Sequence, residues 1–86
     1  MKKREIVALV IETRDQAAVQ VQKILTAWGC MIKTRLGIHD GVMDHCTQTG
    51  LVILEVIGEN EKIEEFVRKL NLVKGVQAKR LTLELP

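Results

Sequence analysis

Two short apolar runs, Ile6-Val7-Ala8-Leu9-Val10-Ile11 and Leu51-Val52-Ile53-Leu54-Glu55-Val56-Ile57, dominate the hydrophobic pattern. Each is too short for a buried helix and rich in β-branched residues. Each therefore reads as a central strand with apolar side chains on both faces. After each run the period changes. Ala17, Val21, Ile24, Leu25 and Trp28 recur at helical spacing, as do Ile63, Phe66, Val67 and Leu70. Thr13-Arg14-Asp15-Gln16 fits a capping box for the first helix, with Asp15 as a competing cap. Gly29 is expected to end that helix in left-handed geometry, and Gly58-Glu59-Asn60 to cap the second.

Met31 to Ile38 alternates imperfectly, with Lys33 and Arg35 on one face and Ile32, Thr34 and Leu36 on the other, as an edge strand would. The last strand begins near Gly75 with Val76 and Ala78 inward. Its apolar phase then switches to Leu81, Leu83 and Leu85, which predicts either a bulge or a half-strand facing a different neighbour. The two halves echo each other: Ile6–Ile11 answers Val52–Ile57, Ile24 answers Leu70, and Gly29 answers Gly75 at an offset of 75 − 29 = 46 residues. Two strand-helix-strand halves predict an α+β, ferredoxin-like βαββαβ sandwich, a four-stranded antiparallel sheet with two helices on one face.

Residues 1–86 make a single domain, and a domain this small buries only about two thirds of its chain surface. With helices on one face only, the other sheet face would show several of Val7, Leu9, Ile11, Val52, Leu54 and Val56 to water, along with the late leucines. A patch of that size predicts a homo-oligomer built through the sheet, by its faces or its edges. Thirteen basic residues against eleven acidic leave a charge of +2, and Trp28 and Phe66 are the only aromatics. Neither property suits a nucleic-acid surface, so direct nucleic-acid binding is not expected. No stretch approaches the roughly 18 apolar residues of a membrane span, and no long apolar signal region is present, so a cytoplasmic protein is expected. There the thiols of Cys30 and Cys46 stay reduced, and Cys30 reads as a small buried residue.

Candidate chemistry gathers in the polar connection from His39 to Gly50, longer than an ordinary hairpin loop. His39, His45 and Cys46 supply imidazole and thiolate, donors that suit a transition metal such as Zn, Ni or Fe. Their spacing matches no standard ligand motif. A second candidate is the first strand-to-helix turn, where Thr13 and Asp15 flank a helix N-terminus and mark an effector-binding edge. Nothing resembles a nucleophile with an oriented base and an oxyanion pocket, so no enzymatic activity is expected.

Four segments carry a family resemblance: Ile6–Ile11, Ala18–Leu25 running into Gly29, Arg35-Leu36-Gly37-Ile38, and Leu72–Lys79. With the double βαβ pattern they resemble the small ACT-like regulatory domains, and more narrowly the iron-only hydrogenase system regulators. The resemblance implies a non-enzymatic regulatory or ligand-sensing module that assembles into dimers or tetramers and acts through a partner protein or a change in assembly. It is also similar to the metal-sensing C-terminal domain of nickel-responsive repressors, where histidines and a cysteine near the second and third strands bind metal across subunits. His39, His45 and Cys46 lie in the corresponding region, which leaves a transition-metal-binding protein as the alternative.

Overall fold

The computed structural model describes residues 2–12, 14–39 and 50–86. The elements follow the predicted order: β1 (Lys2–Ile11), α1 (Arg14–Ala27), a 3₁₀ turn (Gly29–Met31), β2 (Ile32–His39), β3 (Gly50–Val56), α2 (Asn60–Asn71) and β4 (Val76–Leu85). All pairings are antiparallel and the strand order is β2-β3-β1-β4, so the two apolar runs occupy the centre and the other two strands the edges.

Both helices cover one face. Val7, Leu9 and Ile11 of β1 and Leu54 and Val56 of β3 are buried beneath Ala17, Val21 and Leu25 of α1 and Ile63, Phe66 and Leu70 of α2. Each Val, Leu, Ile or Phe among them contributes on the order of 1.5–3 kcal/mol when fully buried, and together they offset the ordering entropy of a short chain. Trp28 and Phe66 meet at 5.7 Å between ring centroids, tilted by 41°, which joins the end of α1 to α2.

The open sheet face therefore carries the opposite parity from the one expected. Val7, Leu9, Ile11, Leu54 and Val56 face the helices, whereas half-buried Ile6, Ala8, Leu51 and Ile53 and exposed Val10 line the open face. An all-apolar run has the same hydrophobicity at both parities, so only helix packing chooses between them. The phase switch in β4 involves no bulge: β4 pairs with β1 in unbroken register from Ile11↔Val76 to Lys2↔Leu85. Leu81, Leu83 and Leu85 thus lie on the open face, more than half exposed.

The irregularity lies in β2 instead, between Ile32 and Thr34. It separates Ile32, which packs against the core, from Leu36 on the open face. Gly29 starts the 3₁₀ turn, and Gly75 is the positive-φ glycine among the described residues, at φ 84°. The left-handed residue thus serves the turn into β4, where Glu12 N–H donates to the Gly75 carbonyl at 2.6 Å. Cys30 is exposed, contrary to its sequence reading, because the 3₁₀ turn carries it past the end of α1. At the start of α2, Glu59 is the cap residue and makes no side-chain cap bond.

Candidate functional site

The ends of all four strands meet at one end of the sandwich. Ile11 pairs with Gly50 on one side and Val76 on the other, and Gly50 pairs with His39. Helix α1 starts three residues after Ile11, so its first turn, with Asp15, stands over this line of strand ends. The first-turn N–H groups of a helix lack intrahelical partners and attract anionic or carbonyl groups. Two of the sequence candidates, Asp15 and His39, therefore share this end through the backbone alone. Thr13, His45 and Cys46 lie outside the described residues, and the chain segment that carries His45 and Cys46 connects His39 to Gly50. Among the described residues, no three His, Cys, Asp or Glu side chains group as metal ligands.

The opposite end holds a polar cluster that sequence reading did not find. Glu5 is buried at 8% exposure on the helix-facing side of β1. Its carboxylate accepts from Arg80 Nε at 3.1 Å, from Arg80 Nη2 at 2.9 Å and from the Thr82 hydroxyl at 2.5 Å. Arg80 Nη1 also donates to Asn60 Oδ1 at 2.8 Å and Glu64 Oε1 at 2.7 Å, tying α2 to the sheet edge. Hydrogen bonds from Arg80 hold the Glu5 carboxyl below the usual carboxylate range against the opposing effect of burial, and Thr82 adds to them. Glu5 in turn raises the Arg80 guanidinium. A cleft of about 240 Å³ opens beside them, between Lys3, Ile57 and Gly58. The side-chain polar groups of Glu5 and Arg80 already have partners within the fold, so the cluster reads as a structural clamp. Its sequence trace is the turn from apolar to polar along the inward phase of β4, where Arg80, Thr82 and Glu84 follow Val76 and Ala78, and the partner of Arg80 is 75 residues away.

Comparison with known proteins places the chain. The TM1266-like family, described as "Iron-only hydrogenase system regulator, putative", matches residues 3–80. The chain belongs to this family. Among solved structures it is similar to the uncharacterized protein TM1266 from Thermotoga maritima, at 27% identity and a TM-score of 0.82, over 96% of this chain and 100% of that one. The ACT domain of GTP pyrophosphokinase from Chlorobium tepidum matches at 20% identity and a TM-score of 0.68, over 92% of this chain and 96% of that one. CPII, a nitrogen regulatory PII-like protein from Thiomonas intermedia bound to ADP, AMP and bicarbonate, matches at 10% identity and a TM-score of 0.59, over 99% and 97%. These last two likenesses concern the fold: the TM1266-like chain is an ACT-like βαββαβ domain. A search of the curated proteins finds no match. Among the described residues, no helix of this TM1266-like chain is long and apolar enough to cross a membrane.

Proposed function

We propose that the chain is a non-enzymatic, ligand-sensing regulator of an iron-only hydrogenase system, working in the cytoplasm as a homo-oligomer and taking its effector at the end where α1 begins. The observation that carries this reading is the convergence of the α1 N-terminus with the ends of β2 and β3, in a family described by a regulatory role. In this reading Thr13 and Asp15 contact the effector. The small open sheet gives the sensing event a route outward, since an effector that contacts two copies alters assembly, and altered assembly is what a protein partner can detect.

The donor chemistry of the same end supports a second reading, in which His39, His45 and Cys46 hold a transition metal such as Zn, Ni or Fe. His39 ends β2 opposite Gly50, where β3 resumes, so its backbone position is fixed by the sheet. One experiment separates the two. In a thermal-shift screen with amino acids, nucleotides and divalent metals, run on untagged protein, an effector should raise the midpoint through mass action, the folded state gaining about 2.7 kcal/mol at a hundred times its Kd. Asp15→Ala abolishes the shift of a small organic effector, whereas His39→Ala and Cys46→Ala abolish that of a metal. A screen in which no compound shifts the midpoint removes both readings.

A further inference from the structure

The free edge of β4 has a built-in register. Asn71, the last residue of α2, accepts from Ala78 N–H through Oδ1 at 2.8 Å and donates to the Ala78 carbonyl through Nδ2 at 3.0 Å. Its side-chain amide thus takes the place of a neighbouring strand at that residue. In an antiparallel ladder a residue's N–H and C=O point to the same side, and successive residues alternate sides. Because the Ala78 groups point away from β1, those of Arg80, Thr82 and Glu84 do also, and among the described residues β4 has no strand on that side. Asn71 closes the edge at Ala78 and leaves the next three outward positions open.

We propose that this open half of β4 pairs antiparallel with the same half of a second copy, with Thr82 opposite Thr82 on the two-fold axis, to make one continuous eight-stranded sheet. It rests on the oligomeric reading above and names the interface. The register follows from three constraints. Outward residues must meet outward residues, which allows only pairings among 80, 82 and 84. A slip that brings Glu84 onto Ala78 meets backbone groups already taken by Asn71. The opposite slip shortens the ladder and sets Arg80 against Pro86, which has no N–H to give. With Thr82 at the centre, each Arg80 stands opposite Glu84 of the second copy, so opposite charges meet and like charges do not. On the open face, each Leu81 stands opposite Leu83 of the second copy in the close, non-hydrogen-bonded pairing, covering leucines that are 56% and 52% exposed in the single chain.

The test is sedimentation of the full chain at tens of micromolar, with thermal melts to verify folding. The wild type should sediment as a dimer or larger species. Leu83→Lys should weaken self-association roughly 100-fold by removing one leucine from each copy. Leu36→Lys, on the same face of the other edge strand, should leave it within about twofold. A separate measurement fixes the register: in a Cys30→Ser, Cys46→Ser background, Thr82→Cys should cross-link between copies under mild oxidation and Gln77→Cys should not. A wild-type monomer overturns both the interface and the oligomeric reading. An oligomer that withstands Leu83→Lys but falls apart with Ile53→Lys overturns the β4 edge alone, and so does cross-linking through Gln77→Cys without Thr82→Cys.

Discussion

Edge strand β2 breaks its register beside Lys33 and presents Lys33 and Arg35 to water, whereas edge strand β4 runs ten residues in unbroken register and presents three leucines. Bulges and cations are the ordinary means of keeping an edge from recruiting another strand, so β2 is protected where most of β4 is not. Their helix-facing arginines differ in the same sense. Among the described residues Arg35 bonds to Gln22 of α1, at 2.6 Å in exposed surroundings, whereas Arg80 is bound by Glu5, Glu64 and Asn60 together. The bonds that lock α2 onto the sheet thus lie along the same strand whose outer groups remain open. A flat, rigid edge is a better template for a second copy than a frayed one.

The comparison breaks or sharpens under substitution. Arg80→Ala strips the buried Glu5 carboxylate of its two-pronged partner, leaving only Lys3 Nζ at 3.9 Å as a counter-charge among the described residues, and should cost about 3 kcal/mol, read by urea denaturation. Arg35→Ala should cost no more than about 0.5 kcal/mol by the same measurement, and equal losses would remove the distinction between the edges. The turns leading into the two strands give the next contrast. Gly75→Ala forces a β-carbon into the left-handed region and should cost about 1–2 kcal/mol. Gly29→Ala should cost less than about 0.5 kcal/mol, since an added Cβ there meets nothing within 4 Å.

The smallest effect is in pH. Because the folded protein holds the Glu5 carboxyl below its ordinary range, the stability it adds is complete above that range and is lost as pH falls through it toward the depressed value. Glu5→Gln should flatten that part of the acid-unfolding profile, while Arg35→Ala leaves its shape unchanged.

Much of this was legible along the chain. Ile6–Ile11 and Leu51–Ile57 read as the central strands because a short apolar run has few other stable uses, and the helical stripes ending at Trp28 and Leu70 read as helices because their period is 3.6. The candidate site was legible only as residue types. Asp15 and His39 are 24 positions apart in the chain (39 − 15), and they share one end of the molecule because Ile11, Gly50 and His39 align across three strands. Glu5 and Arg80 escaped notice because a pair 75 residues apart leaves no local pattern.

By itself the sequence determined the number, type and order of the elements and the placement of apolar runs at the sheet centre. Those properties follow from local periodicity and from the cost of leaving apolar surface in water. Only the tertiary structure decided which parity of each central strand meets the helices, that Gly75 rather than Gly29 takes left-handed geometry, that Cys30 is exposed, and that Asn71 closes one point of an otherwise open edge. Each of these depends on contacts between distant segments, whose energies no local pattern encodes.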